Sequence, residues 1–373
     1  CLFHLIFWEE RFLMELTNEQ RRCLGLLEIE PYWKRVDMGE GNILYFNGDI
    51  IRKWIIDRKG HIEENTYWVK ASPDRTKLLP KTKRGKEKKF TFANLQRMGG
   101  EGSYFLFGGN LVVGNRTNQR TLYSSYMAGL APMSEEELGD FLKRWVAETD
   151  DAQMAKVKEF ANEARKHCKY GEGDFFRFAF DRTHYGYGRI LLDVTKRRKL
   201  GEKDWEILMG KPLIVKVYHI VTTDPCVPPE VLETYSACPS QYIMDNRFYY
   251  GDYEIVGNLP IREEEEEYPV MYGQSIDSKA DRIILQIGSA YRELPLEGNK
   301  VVPGISRNNG IGFDLEINKT MLLKCIAAGS NMPYWEMDAG YARSDIRNPK
   351  NREILGAVLR QFGVEDKYKN IYK

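Results

Sequence analysis

Short alternating runs of apolar residues dominate the first third of the chain and predict β-strands. Residues 43–69 hold two such runs around Asn47 and Gly48, and an Asn-Gly pair between apolar runs is a strong hairpin signal. The stretches TYWVKA, GSYFLFGGNLVVGN and QRTLYSSY continue the same pattern. We therefore expect a β-rich N-terminal domain over residues 14–130.

The apolar spacing changes to that of helices after residue 130. Ser134 and Glu137 have the spacing of a capping box, and a stripe at three- and four-residue intervals follows it: Leu138, Phe141, Leu142, Trp145 and Val146. A second helix is expected to begin near residue 150 and to stop near Gly171. Together the two helices predict a connector, residues 131–168, that bridges two domains.

Strand-like runs return over residues 169–317. Their short spacings leave little room for parallel crossovers, so an antiparallel, strongly twisted sheet or partial barrel is expected. The chain closes with helices: Asn318 can cap KTMLLKCIAA, and Asn348-Pro349 begins a last helix that ends near Phe362. The pattern as a whole predicts an α+β protein whose C-terminal helices, residues 318–373, pack on the second sheet.

The first thirteen residues, CLFHLIFWEERFL, differ from the rest of the chain. They are apolar but lack the cationic start and small-residue cleavage site of a signal peptide. We interpret residues 1–13 as a possible upstream extension. No apolar run reaches the roughly 18 residues that a spanning helix needs, so no membrane partner is expected.

Charge and cysteine content narrow the functional classes. The chain holds 55 Lys and Arg residues against 54 Asp and Glu residues, so no overall field attracts nucleic acid. Residues 77–89 hold seven basic residues and one acid; a solvated loop is preferred there over a nucleic-acid-binding module, because no aromatic platform interleaves the charges. The six cysteines form no CxxC pair, which favours reduced thiols in a cytoplasmic protein over a disulfide framework or a zinc cage, and no cofactor or metal is expected.

Catalytic chemistry has weak support in the sequence. A metal-dependent hydrolase would need converging ligands, and His184, His219, Asp181 and Asp245 are the candidates, although no two histidines have ligand spacing on one element. For His219, inside an apolar strand, a satisfied core histidine is the preferred interpretation. Motifs for a nucleophilic serine, a phosphate-binding loop or a dinucleotide are absent from the sequence.

The acidic run REEEEEYP offers a candidate binding surface. It contains five consecutive acids, Glu263, Glu264, Glu265, Glu266 and Glu267, followed by Tyr268, and Asp252 and Glu254 lie shortly before it. A solvated loop is the simpler interpretation. The alternative is a negative patch with an aromatic anchor that steers and binds a basic partner.

The stretch GDFFRFAFDRTHYGYGRILLDV predicts a hairpin that turns around residues 181–184. Of two registers, we prefer the one that places Phe176 opposite Arg189, Phe178 opposite Tyr187 and Phe180 opposite Tyr185. The slipped alternative covers Gly186 and Gly188 with phenylalanines, but it sets Arg177 opposite Arg189. The preferred register also predicts that Asp174 pairs with Arg189.

This hairpin resembles the immunity protein 26 family of bacterial polymorphic-toxin systems, which is also labelled as related to a phosphotriesterase of the HocA-like type. The resembling residues are 173–176 and 185–191, followed by the apolar strand at 213–221, and the resemblance covers about 169–317. Asp174, Phe176, Phe178, Tyr185, Tyr187 and Arg189 are the structural motif residues.

The resemblance implies an α+β binding protein that neutralises a co-encoded protein toxin by occlusion. It supplies no catalytic set, so a binding role is preferred over an enzymatic one. The acids of the run and the neighbouring tyrosine are then the candidate contacts. The alternatives are a metal-dependent phosphotriester hydrolase and, third, a nucleic-acid-binding module at residues 77–89.

Overall fold

The computed structural model describes residues 15–202, 205, 210–275, 279–305, 317–329 and 331–368. Within these ranges the chain forms two compact units. The first unit comprises the described residues up to 126 together with 130–165, and the second comprises 127–129 and the described residues from 166 onward. The predicted extension at 1–13 and all but the last residue of the strand-like run expected at 310–317 lie outside the described residues.

The first unit is built on an antiparallel sheet of nine strands, with two short helices beside it. Its elements are α1 (Asn18–Cys23), β1 (Lys34–Asp37), β2 (Asn42–Asn47), β3 (Ile50–Arg58), β4 (His61–Ala71), β5 (Lys77–Leu79), β6 (Lys88–Lys89), α2 (Phe92–Met98), β7 (Ser103–Gly108), β8 (Asn110–Asn115) and β9 (Thr121–Ser124). The main path runs β1-β2-β3-β4-β7-β8-β9, and β5 and β6 branch from β4. The predicted β-rich N-terminal region is confirmed.

Two sequence signals in this sheet have clear structural outcomes. Asn47 pairs with Ile50, so Gly48 and Asp49 form the two-residue turn of the predicted hairpin. The basic segment 77–89 is not a plain loop, because β5 and β6 pair with each other within it. Lys77 makes an ion pair with Glu87 at 2.8 Å, and most of the other side chains in the segment are exposed.

The two predicted helices follow as α3 (Glu135–Ala147) and α4 (Asp151–Asn162). Ser134 and Glu137 form the predicted capping box, and Asp150 caps α4. The apolar stripe of α3 packs in one cluster with side chains of β7 and β8, so both helices belong to the first unit. Helix α4 ends at Asn162, earlier than expected, because the next residue is extended.

A buried ion cluster lies on the sheet of the first unit. Arg21, Lys53 and Glu64 are at most 3% exposed, and the Glu64 carboxylate forms ion pairs with both Arg21 and Lys53. The Arg21 Nε to Glu64 Oε1 distance is 3.0 Å, and Lys53 also donates to the backbone carbonyl of Leu27. Burial alone would raise the pKa of Glu64, but the two cations outweigh it and hold that pKa below its ordinary value.

The second unit holds two antiparallel sheets with helices around them. Its elements are β10 (Asp174–Ala179), β11 (Tyr185–Asp193), α5 (Val194–Lys199), β12 (Pro212–Thr222), α6 (Pro229–Leu232), β13 (Ala237–Met244), α7 (Asn246–Tyr249), β14 (Tyr253–Asn258), β15 (Val270–Gln274), β16 (Arg282–Ile287), β17 (Ala290–Pro295), α8 (Lys319–Ala328), α9 (Gly340–Arg343), α10 (Arg352–Gln361) and α11 (Glu365–Tyr368). The five-stranded sheet has the order β13-β12-β11-β10-β14, and the three-stranded sheet is β15-β16-β17.

The closing helices follow the predicted sequence signals. Asn318 caps α8, which ends before Gly329, and Asn348 with Pro349 begins a 3-10 turn that leads into α10. Helix α8 covers one face of the five-stranded sheet, where Leu322 packs with Phe176 and Phe178. Helix α10 packs in the cluster that includes the inner residues of β15 and β16. Among the described residues, no helix has the length and apolar character needed to cross a bilayer.

The register of the β10–β11 hairpin differs from both registers considered above. Phe175 pairs with Arg189, Phe176 with Gly188, and Phe178 with Gly186. The preferred register is therefore wrong by one residue, and Arg177 faces Tyr187 rather than a second arginine. The phenylalanine rings occupy space above the glycines, while Tyr187 lies in a separate cluster with Phe175 and Tyr218.

The predicted pairing of Asp174 with Arg189 is also wrong. Asp174 accepts hydrogen bonds from the backbone N–H of Gly171 and the side-chain amide of Asn258. Arg189 instead bonds to segments that are 44 to 76 residues away in the chain. Local pair preferences misjudged this register because the strongest partners of Arg189 come from outside the hairpin.

The glycines of β11 give a prediction that tests this register. A Cβ atom at Gly188 would lie 2.4 Å from Phe176 Cζ and 2.6 Å from the backbone carbonyl oxygen of Lys216, and a backbone atom cannot move aside cheaply. We expect Gly188→Ala to lower the free energy of unfolding by about 1–3 kcal/mol. Urea denaturation followed by circular dichroism measures the change.

Gly356→Ala is the matched control for this substitution. Gly356 lies within α10, and the nearest atom to an added Cβ is Arg360 Nη1 at 3.5 Å. Alanine should therefore stabilise the helix by about 0.5–1 kcal/mol, a change of the opposite sign. Equal tolerance of both substitutions would show that Phe176 does not pack on Gly188.

Candidate functional site

The acidic run lies in the connection between β14 and β15, here called the acidic loop (residues 259–268). Its middle forms a 3-10 turn, Glu263–Glu265, with Arg262 at its N-terminal end. The carboxylate of Glu265 turns back and accepts a hydrogen bond from the backbone N–H of Arg262. The run is therefore a structured turn rather than an extended acidic strip.

A buried arginine fixes this loop to the sheet. Arg189 of β11 is fully buried, and its guanidinium donates to Glu265 at 2.6 Å and to Glu233 at 2.8 Å. It also donates to the backbone carbonyl oxygens of Leu259 and Pro260. Arg189 thus attaches both the start of the acidic loop, at Leu259 and Pro260, and its middle, at Glu265. The planar guanidinium carries several donors, which suits this multiple attachment.

Glu265 is the carboxylate at the centre of this network. Its side chain is 5% exposed, and Lys216 of β12 donates to the same oxygen as Arg189. Burial would raise the pKa of Glu265, but the hydrogen bond from Lys216, the backbone N–H of Arg262 and the charge of Arg189 outweigh burial and lower it. Glu265 is therefore a structural anion and is not available to a partner.

The other acids of the run divide between the surface and the interior. Glu263 and Glu264 are exposed, and the Glu264 side chain is 73% exposed. Glu266 is exposed and accepts a hydrogen bond from the Tyr268 hydroxyl. Glu267 is partly buried and accepts the backbone N–H of Ser240 at 2.9 Å, and burial raises the pKa of its carboxyl.

The remaining predicted contact residues have different surroundings. Tyr268 is 9% exposed and packs in the core with Trp205 and Tyr368, so it cannot serve as a surface anchor. Asp252 is 9% exposed on its side chain and pairs with Arg247 at 2.9 Å. Glu254 lies on β14 with its side chain 49% exposed.

Strand β14 places Glu254 at the outer edge of the five-stranded sheet. Its one strand neighbour among the described residues is β10, and Arg177 of that strand pairs with Glu254. Ile255, next to it, is 37% exposed. The part of β14 next to the acidic loop in sequence therefore exposes one aliphatic side chain, one paired acid and a strand edge that no described strand pairs with.

The four residues proposed for metal-dependent hydrolysis do not converge. His184 and Asp181 meet in the β10–β11 turn, where His184 Nδ1 lies 2.9 Å from the Asp181 carboxylate and the two side chains are 41% and 49% exposed. Asp245 accepts the Tyr170 hydroxyl at 2.6 Å. His184 and Asp245 adjoin opposite ends of β12, which at 11 residues is roughly 30 Å long.

His219 belongs to a group that the sequence did not reveal. It is fully buried, and its ring lies with the thiols of Cys238 and Cys325, which are 19 and 106 positions further along the chain. No other group of three such ligands within mutual reach occurs in the part of the chain that the structure describes. The spacing of these residues resembles no compact metal motif, so only the fold could bring them together.

Comparison with known proteins gives a family match, and it covers the segment that contains the acidic loop. Residues 171–282 match the family model described as Immunity protein 26, somewhat under a third of the chain. None of the curated proteins and none of the solved structures compared with the chain matches it. The comparisons give no support to the suggested HocA-like relationship.

The matched residues coincide with structural boundaries. The match begins shortly before β10 and ends at Arg282, the first residue of β16, so it contains the whole five-stranded sheet, Arg189 and the acidic loop. The first unit and helices α8 to α11 lie outside it. For the segment 171–282, the match supports the immunity-protein family.

Proposed function

We propose that this chain is an immunity protein that binds a protein toxin and blocks the toxin's active surface. The observation that carries the proposal is the match of residues 171–282 to the Immunity protein 26 family model. The matched segment holds a complete sheet and its own exposed acidic turn. A rigid scaffold with a charged loop suits recognition by surface complementarity.

The contact surface in this proposal centres on Glu263 and Glu264. Both side chains are exposed on the 3-10 turn, and the Glu263 side chain has no ion pair or hydrogen bond to any residue that the structure describes. Arg189 and Lys216 hold the turn through Glu265. A loop fixed before binding loses less conformational entropy when the partner docks.

The strand edge of β14 extends this surface. Glu254 and Ile255 are exposed there, and the acidic loop follows the strand directly. A partner with a basic face could be steered by Glu263 and Glu264 and then contact the aliphatic side chain and the backbone edge that no described strand pairs with. The buried Tyr268 and the paired Asp252 are left out of the proposed surface.

Charge reversal at the turn tests the proposal. The candidate partner is the product of the gene adjacent to the one encoding this chain, and binding is measured by surface plasmon resonance at two salt concentrations. We expect Glu263→Lys to slow association about tenfold at low salt, since steering acts mainly on the association rate. The difference should shrink at high salt.

Glu297→Lys provides the matched control, because Glu297 is an exposed acid on the second unit, outside the matched segment. It makes the same charge change and should leave association unchanged. Equal effects of the two substitutions would place the contact surface elsewhere. Absence of any binding to the adjacent gene product would count against the immunity function itself.

A further inference from the structure

Three side chains with soft donor atoms meet inside the second unit. They are His219 on β12, Cys238 on β13 and Cys325 on α8, and their donor atoms all lie within 4.8 Å of one another. The sulfur atoms of Cys238 and Cys325 are 3.7 Å apart. Imidazole and thiolate are the donors that zinc prefers in proteins.

The fold assembles this group from three elements. Val217 pairs with Cys238 across β12 and β13, and the backbone N–H of His219 donates to Ser236 at 2.8 Å, so the two side chains are neighbours on adjacent strands. Helix α8 packs against the same sheet and presents Cys325 from its buried face. The ligands therefore come from rigid elements rather than from loops.

The three side chains are polar groups in the protein interior, and such groups need a bonding partner. His219 and Cys325 are fully buried and Cys238 is partly buried. Neither ring nitrogen of His219 has a hydrogen-bond partner among the residues that the structure describes. Leaving a buried polar group unsatisfied costs about 1–3 kcal/mol, so such groups usually have a ligand or another partner.

Metal binding would require both thiols to ionise. Cys238 Sγ and Cys325 Sγ lie within hydrogen-bond distance of each other, and a bound cation would take the place of the proton between them.

The sulfur separation also fits a bound ion. Two thiolates at about 2.3 Å from a tetrahedral zinc ion lie roughly 3.8 Å apart, whereas a disulfide requires about 2.05 Å. The observed 3.7 Å is close to the first value. Two thiolates and a neutral imidazole would also balance the charge of a divalent cation inside the protein.

We propose that His219, Cys238 and Cys325 form a binding site for one thiophilic cation, Zn²⁺ in the first place. The three ligands leave one position of a tetrahedral ion for a further donor. His219 and Cys238 lie within the matched segment and Cys325 lies beyond it, so the ion would tie α8 to the sheet. The role is structural, and it does not depend on toxin binding.

The full-length protein, purified under reducing conditions, tests the site with metal alone. We expect about one equivalent of Zn²⁺ to bind, and Co²⁺ in its place should give thiolate-to-metal absorption in the near ultraviolet and visible bands of tetrahedral cobalt. Cys238→Ser and Cys325→Ser should each lose these bands. Zn²⁺ should raise the Tm of the unmodified protein and not that of Cys325→Ser.

Cys226→Ser is the matched control, because Cys226 is an exposed free thiol of the same unit, away from the group. It should retain both the cobalt bands and the thermal shift. Each serine variant replaces one sulfur atom by oxygen, and circular dichroism checks that it still folds. The cobalt spectrum of the unmodified protein tests the site without any variant. Failure to bind one equivalent of either metal would overturn the proposal, as would a Cys238–Cys325 disulfide that forms equally fast with and without Zn²⁺.

Discussion

Replacing Arg189 by methionine is expected to lower the free energy of unfolding of the second unit by about 3–5 kcal/mol, the usual cost of breaking a buried ion pair from one side. The change leaves the buried Glu265 with Lys216 as its main cation and removes the donor to the carbonyl oxygens of Leu259 and Pro260. The acidic loop should loosen as well. Urea denaturation gives the stability change, and hydrogen–deuterium exchange of peptides covering 259–268 gives the loosening.

Arg262→Met is the matched control for this substitution. Arg262 pairs with the same two acids, Glu233 and Glu265, but its side chain is 51% exposed. Removing this solvent-screened cation leaves Glu265 with Arg189 and Lys216, and Glu233 with Arg189, so little stability should be lost. If Arg262→Met costs as much as Arg189→Met, burial of Arg189 is not what holds the loop.

Replacing Glu64 by glutamine is expected to destabilise the first unit by about 3–5 kcal/mol, because it leaves the buried Lys53 without its anion and the buried Arg21 with only the more distant Glu15 at 3.7 Å. Hydrogen–deuterium exchange resolves this loss to the strands of the first unit. The pH dependence should change too. Since the pKa of Glu64 is held below its ordinary value of 4.5, its contribution is present above that pH and is lost as the pH falls through the lowered value.

Two further variants test whether the stability lost by Glu64→Gln comes from leaving buried cations unpaired. Glu63→Gln changes the neighbouring acid, which is 23% exposed on its side chain, and should have a small effect. The triple variant Arg21→Met, Lys53→Met, Glu64→Leu removes all three charges and should recover much of the stability lost by Glu64→Gln. If the triple variant is less stable than Glu64→Gln, the attraction among the three charges does more than offset the cost of burying them, and the cluster itself stabilises the fold.

Helix starts were the part of the fold that local sequence determined best, whereas α4 ends at Asn162, nine residues before its expected stop near Gly171. Ser134, Asn318 and Asn348 each cap the helix or turn that their side-chain chemistry predicted. A cap forms within three residues of chain, so its energetics are fully contained in the sequence around it. The α+β class was predictable because the sequence contains both the two-residue apolar period of strands and the three- to four-residue period of helices.

The acidic run was visible in the sequence, but the burial of its individual acids was not. The acidic run is visible in the sequence, and it forms an exposed turn at Glu263 and Glu264. Which of its acids face inward was not visible, because Glu265 is drawn in by Arg189 and Lys216 from two other strands. Charge counting treats the five acids as equal, whereas burial beside distant cations makes them different.

The hairpin register shows the same limit of local reasoning. Aromatic and charge preferences within the hairpin favoured a pairing that the structure does not have. Arg189 is fixed by Glu233 and Glu265, and Phe176 and Phe178 by the space above two glycines and by α8. These contacts bury whole side chains, so they outweigh single cross-strand preferences of under about 1 kcal/mol.

The sequence by itself determined the secondary-structure class, the helix caps, the location of the acidic run and a family resemblance carried by residues 173–191. Tertiary structure alone decided the strand register, the burial of Glu265 and Tyr268, and the meeting of His219 with Cys238 and Cys325. The physical reason is the range of the interactions. Periodicity and capping act within a few residues, whereas buried charges and thiols are positioned by side chains tens of residues away.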